Sequence, residues 1–463
     1  MDAQLQALLR DIPDYDSFLT LDEMDASSRL LAAEHPESTT LMEIGRTRED
    51  RPLLCLKIGS GPQNALMFGC PHPNEPIGAM MLEYLTKKLA EDENLRERLG
   101  YTWYFVKAWD ADGYVKNEGW LKGPFNIYNY GRNFFRPAGF SQVDWTFPID
   151  YKKLHFHNML PETAAMRKLI DEIQPRFIYA LHNSGFGGVY WYESEPTPEI
   201  YDELHKIPGR QQLPLSLGSA ESPSCKANAP AIYQDLGIQE MYDYIEKYVG
   251  EDAAVRELNT GDCSAAYAYE RYKTFTLLTE LPYFFDPGIE DQRLADMTRL
   301  DVVRQKTAEI RAINEDLRSI LALSKDYLSK DNPYVEAVTD FSHDGSDAEL
   351  NCAENDPAFL EKITYAEKLD ELVIGKFYKM ILYGMLIRAN ETELTNIDAS
   401  REPEKYAAVR KGFDAALAGF EKITAFLESN LNYQVVPIRK LIHVQLESGL
   451  RVIDCLKEKD QAK

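Results

Sequence analysis

The chain is short of positive charge. Lysine and arginine number 51 against 75 aspartates and glutamates in 463 residues, a formal net charge of −24. That balance excludes the basic face through which proteins hold nucleic acid or an anionic membrane surface. It also disfavours a polyanionic substrate by long-range steering. No uncharged run approaches the roughly 18 apolar residues of a membrane span. The start, Met1-Asp2-Ala3-Gln4-Leu5, lacks the basic and apolar regions of a secretion signal. The six cysteines (55, 70, 225, 263, 352 and 455) form no CxxC pair, so they read as reduced, structural thiols. No internal repeat and no low-complexity tract is present. These absences predict an acidic, soluble, cytoplasmic protein with no nucleic-acid and no membrane partner.

What is present suffices for a large core: 44% of the residues are hydrophobic. The length predicts two or three domains. Residues 1 to about 40 read as mostly helical, and Leu41–Ile44 and Leu53–Ile58 as a hairpin around a polar turn. Ala65–Phe68 is a short apolar strand running into Gly69-Cys70-Pro71-His72-Pro73-Asn74-Glu75-Pro76, after which Ile77, Met80, Met81, Tyr84 and Leu85 recur at helical spacing. Thr102–Trp109, Arg176–Leu181 and Thr274–Pro282 are further strands, and Pro161–Ile173 is a helix opened by proline. Residues 114–160 read as long loops, a length usually reserved for function. Residues 190–260 read as short helices and loops. From about Asp291 strands give way to helices over 291–330, 357–390, 403–430 and 434–458, with breaks at 331–333 and 340–347. The expected division is residues 1–330 as an α/β unit with its chemistry at strand ends, and 331–463 as a helical bundle. The bundle is a candidate surface for forming a homo-oligomer, a cap over the site, or a passive appendage.

The chemistry-bearing residues lie at the predicted strand ends. His72 and Glu75, three apart in a tight loop, suit two positions of a tetrahedral zinc ion. Alone, such a pair is as readily an exposed loop feature. His182 ends one strand and Glu280 another, and open α/β folds assemble sites from such ends. A short pair with a distant third ligand is the pattern of catalytic zinc, which keeps a fourth position free. His155 and His157 alternate in a loop with no third ligand nearby. Trp120, Phe134, Phe135, Tyr190, Trp191 and Tyr192 suit either an aromatic pocket or core.

On these motifs the chain resembles the zinc metallocarboxypeptidases of the carboxypeptidase A/B type. The resemblance runs in family order through the Ile44–Gly59 hairpin, Gly69–Pro76, Asp112-Gly113-Tyr114, Gly131-Arg132-Asn133-Phe134, Leu181-His182-Asn183-Ser184 and Thr279-Glu280-Leu281, over about residues 10–325. It implies a mixed, mainly parallel eight-stranded sheet flanked by helices. It implies one zinc ion on His72, Glu75 and His182, with Glu280 as general base, and a peptide or small amide as substrate. Arg132 matches the arginine that pairs with a substrate's terminal carboxylate, with Asn133 beside it. Departures from the family are local. Gly131 stands where an asparagine is usual, and no second arginine lies in 117–122, leaving Lys122 or Arg136 as substitutes. Leu258 stands where a tyrosine is expected, and Ser264-Ala265-Ala266 lacks the aspartate of basic specificity. Three functions fit: a carboxypeptidase, a zinc deacylase or amidase acting on a small N-acyl or amide compound, and a scaffold that keeps the fold without turnover.

Overall fold

The computed structural model describes residues 2–234, 237–343 and 346–461. Its frame is a nine-stranded mixed sheet, one strand more than expected. Numbered in chain order, the strands are β1 (Thr39–Arg46), β2 (Pro52–Ile58), β3 (Gln63–Gly69), β4 (Tyr101–Val106), β5 (Phe177–Leu181), β6 (Tyr190–Glu193), β7 (Ala227–Ala229), β8 (Ile232–Gln234) and β9 (Phe275–Glu280). Their spatial order is β1-β2-β4-β3-β5-β9-β6-β8-β7. The four central strands β4, β3, β5 and β9 run parallel, and antiparallel pairs flank them. Strands covered on both faces carry unbroken apolar runs. Accordingly β5, Phe-Ile-Tyr-Ala-Leu, is buried at every position.

The added strands fall where the sequence reads as helix and loop. Tyr190–Glu193 pairs antiparallel with β9, and the three-residue β8 and β7 follow outward. Segments this short have too little period to be told from loops. The reverse holds for 114–160, where helices Ala111–Leu121 and Ile127–Asn133 occupy part of the expected loop. Further on, Leu294–Thr298 is a strand paired with Lys362–Thr364 before the long helix Arg299–Ala322 begins. Of the expected break at 340–347, residues 344 and 345 lie outside the described residues.

The residues beyond 331 pack into the sheet's own core. One apolar cluster joins Leu66's neighbours Ala65 and Met67, Tyr179, Trp191 and Leu277 to Phe377, Met380, Leu441, Val444 and Leu456. The last helix, Ile438–Gln461, lies on the sheet. The Tyr179 hydroxyl donates to the Gln445 carbonyl at 2.5 Å, and Trp191 Nε1 donates to Ser448 Oγ at 3.1 Å. Arg176, at the entrance to β5, pairs with Asp460 at 2.9 Å. A second helix, Gly375–Leu394, continues an α-turn and a π-helical stretch over Asp370–Ile374 and packs on Ile127–Asn133 and Pro403–Asn430.

The crossing with Ile127–Asn133 is a backbone contact. A Cβ on Gly384 would fall 1.9 Å from the Gly131 carbonyl oxygen, and one on Gly131 would meet Met380 Cε at 2.6 Å. At Gly384, which meets backbone, only glycine permits the approach. Two polar ties flank it: Arg132 Nη2 to Glu391 Oε1 at 2.8 Å, and Arg388 Nη1 to the Asn133 carbonyl at 2.7 Å.

Candidate metal centre

Strand β3 ends at Gly69, and the chain turns sharply through Cys70, whose φ of 51° is left-handed. The turn is held by the Glu75 amide donating to the His72 carbonyl at 3.1 Å, and by the Asp110 amide donating to the Cys70 carbonyl at 3.0 Å. Helix Pro76–Glu91 then starts with proline in its first turn, where the missing N–H costs nothing. Glu75 is its N-cap residue, yet its side chain caps nothing. The carboxylate turns inward instead. The helix sits so close to the end of β5 that a Cβ on Gly78 would lie 2.5 Å from Leu181 Cβ, which brings the next residue, His182, beside His72.

The result is a buried convergence. His72 Nδ1 lies 2.9 Å from Glu75 Oε1, and His182 Nδ1 lies 3.1 Å from Glu75 Oε2. The two imidazole centroids are 4.9 Å apart. Glu280, at the end of β9, places Oε1 3.8 Å from His182 Nδ1. His72, Glu75, His182 and Glu280 are 6, 1, 4 and 7% exposed, so no side chain here is solvated by bulk water.

The donor set fits one zinc ion. One atom from each of His72, Glu75 and His182 falls within 4.8 Å of the others, the one such group among the described residues. Two buried polar atoms around it, His72 Nε2 and His182 Nε2, make no hydrogen bond, and His182 Nδ1 and Glu75 Oε2 face only each other, at 3.1 Å. Buried polar atoms are nearly always satisfied, so a cluster of exceptions signals a further partner. Protonation agrees. Burial, helped by Arg136, pushes His72 down to about 4, leaving a neutral imidazole. Burial opposes ionisation of Glu75, but the two imidazoles hold it well below the usual carboxylate range. His182 moves the other way: burial opposes its charge, and Glu75 and Asp144 outweigh it. Neutral imidazole and ionised carboxylate are the forms that bind a metal, in a place whose carboxylates favour added positive charge.

Around the centre lies a cavity of about 1160 Å³. Arg136 enters it with Nη1 3.6 Å from Glu75 Oε1, while its Nη2 donates to Gln142 Oε1 at 3.2 Å. Of the candidate recognition residues it alone lines the cavity. Arg132 points away to Glu391, Asn133 donates to the Asn129 carbonyl at 3.0 Å, and Lys122 pairs with exposed Glu23 at 2.6 Å. A five-residue motif cannot reveal which of two arginines turns inward; the helix crossing at Gly131 decides it. Tyr190 and Tyr192 line the cavity together with Phe134, while Trp120 and Trp191 are core. His155 and His157 share Asp150 at 2.8 and 3.0 Å on an exposed ribbon and assemble no third ligand.

Two contributions have no advance signal. Asp144 places Oδ2 3.9 Å from His182 Nε2, accepts the Ser264 amide on Oδ1 at 2.8 Å, and is pushed up to about 6 by burial. At 3.9 Å it acts on the His182 ring through charge, favouring the protonated form, without a hydrogen bond. The second is the far wall, built from Arg299–Ala322 and Gly375–Leu394, which begin 117 and 193 residues beyond His182 (299 − 182 and 375 − 182).

Comparison with known proteins points to one family. A family model described as zinc carboxypeptidase matches residues 24–281. Zinc carboxypeptidase A 1 of Anopheles gambiae is 29% identical over 126 residues, 24% of this chain and 29% of that protein. Carboxypeptidase A1 of Rattus norvegicus is 41% identical over 61 residues, 13% of this chain and 15% of the relative. The chain thus spans less than a third of the length of these curated relatives. Among solved structures, the carboxypeptidase A of Helicoverpa armigera aligns with 60% of this chain and 69% of its own, at 17% identity and a TM-score of 0.37.

Proposed function

Because the chain belongs to the zinc carboxypeptidase family, we propose that it hydrolyses an amide bond in the carboxypeptidase manner. His72, Glu75 and His182 hold the zinc, and Glu280 is the base. When bound, zinc supplies Lewis-acid polarisation of the amide carbonyl and lowers the pKa of water toward about 7. Glu280 takes a proton from the attacking water and passes it to the departing amine, so that water and amide become acid and amine. Burial, with Glu221 and Glu75 nearby, lifts Glu280 well above the ordinary carboxylate range. As base it must be ionised when it meets the water, and positive charge placed beside it favours that form. Arg136, on the cavity side of Glu75, offers its guanidinium to the charge that grows on the carbonyl oxygen.

The observation that carries this reading is Glu280 3.8 Å from a ligand-type imidazole, inside a buried His72–Glu75–His182 cluster. A second reading, deacylation of a small N-acyl or amide compound, is favoured by Arg132. It is tied to Glu391 outside the cavity and does not meet a peptide's terminal carboxylate. A scaffold without turnover is disfavoured by the four intact residues. The test pairs Glu280→Gln with a panel of peptides, their C-terminal amides and N-acyl compounds. Expected are one zinc per chain and a kcat lower by about 10²–10⁴-fold. His72→Ala is expected to lose the metal. A Glu280→Gln protein turning over at the wild-type rate would end the proposal.

A further inference from the structure

Four basic side chains line the cavity among the described residues: Arg136, Arg299, Lys306 and Lys379. Three are engaged by carboxylates. Arg136 faces Glu75 at 3.6 Å, and Arg299 reaches Glu361 at 2.8 Å and Glu367 at 2.9 Å. Lys306 pairs with Glu371 at 2.7 Å and also with Glu349. Lys379 differs. Its ammonium donates to Asn314 Oδ1 at 3.1 Å and to the Phe341 carbonyl at 3.4 Å, both neutral acceptors. An ammonium has three donors, and these contacts use two. Burial and the like charge of Lys306 push Lys379 down to about 8, and among the described residues no carboxylate acts in the other direction. A largely buried cation without a counter-charge is costly to keep.

Its helix holds it on the cavity side. Gly375, Tyr378, Lys379, Leu382 and Met385, spaced as one helical face, all line the cavity. The same face meets the reacting end of the cavity: the Tyr378 hydroxyl donates to the Phe186 carbonyl at 3.2 Å, in the loop that follows His182. The arginine expected to receive an anion is meanwhile held outside by Glu391. The cavity lacks the anticipated anion receptor and contains a cation, Lys379, with no carboxylate partner among the described residues.

We propose that Lys379 receives an anionic group of the substrate, a carboxylate in the first instance, in the role that Arg132 has left. The inference rests on the hydrolase reading and names its substrate class: amides bearing a negative charge on the side of the helical wall. Zinc-loaded wild type, Lys379→Met and Lys379→Arg are compared on one N-acylated dipeptide as free acid and as carboxamide. The ratio of kcat/KM, acid over amide, is expected to fall about tenfold or more in Lys379→Met, chiefly through KM, and to recover in Lys379→Arg. A ratio unchanged in Lys379→Met overturns the proposal. Calorimetric titration with N-acetylphenylalanine and its amide reads the same contrast without turnover. If the wild type hydrolyses neither dipeptide, the hydrolase reading fails while the titration still decides on Lys379. Binding of the acid weakened about tenfold in Lys379→Met sustains the inference; equal binding, or none to the wild type, removes it. Thermal unfolding guards against misfolding, since exchanging an unneutralised buried charge for an apolar chain should leave Tm equal or higher.

Discussion

At the scale of single residues, side chains near the site hold charge states they would not hold in water. Asp370, in the π-helical stretch lining the cavity, is pushed up to about 7 by burial and by neighbouring Glu371, against the Ser219 amide that donates to it at 3.0 Å. A raised carboxyl pKa favours folding only while the group is protonated. Its contribution is complete below about pH 4, where both states hold the proton, and is lost as the pH rises through about 7. Asp370→Asn, which keeps an acceptor for Ser219, removes that loss. Its Tm should match wild type near pH 4 and exceed it by a few °C, on the order of one kcal/mol or more of stability, at pH 8. Parallel Tm-versus-pH curves for the two proteins would refute the assignment. Residue scale is also where the sequence was most legible. His72, Glu75, His182 and Glu280 are readable because strand ends and family motifs mark them. Lys379 and Asp144 carry no mark, because their roles depend on what packs against them.

Among elements, the central fact is the crossing of helices Ile127–Asn133 and Gly375–Leu394. Gly131, where the resemblance implies asparagine, lies under this contact: a Cβ there would meet Met380 Cε at 2.6 Å and the Phe420 ring at 3.0 Å, so those side chains would have to shift. The position where the resemblance implies a recognition amide is thus the one that a distant helix approaches. Gly384→Ala tests it, since its methyl would enter a space held by the Gly131 backbone, 1.9 Å from the carbonyl oxygen. Relief requires the helices to part, at a cost of about 1–3 kcal/mol or more, read as a lower urea midpoint. Turnover should fall as well, because Arg136 follows directly from that helix. An unchanged midpoint would show that the crossing is loosely packed. The helices and central strands were legible from their periods, whereas β6, β7 and β8 were not, being at most four residues long and completed only by pairing.

For the molecule as a whole, one apolar core runs from Leu5 to Leu456 and includes both sheet and C-terminal helices. A boundary at 330 is what the change from strands to helices suggests, but a helical pattern does not reveal what its apolar face covers. We expect a single calorimetric transition for the zinc-loaded chain, and a product cut after residue 330 that aggregates. Two resolved transitions, or a soluble, folded 1–330 fragment, would restore the two-unit description.

The last helix has a consequence for how the protein is made. β9 is complete at Glu280, yet Ile438–Gln461, whose Gln445 and Ser448 meet Tyr179 and Trp191, is translated much later. At about 5–20 residues per second the interval is roughly 10–30 s. Throughout it the sheet surface around Tyr179 and Trp191 waits for the helix that supplies the Gln445 carbonyl and Ser448 Oγ, so this part of the core closes last.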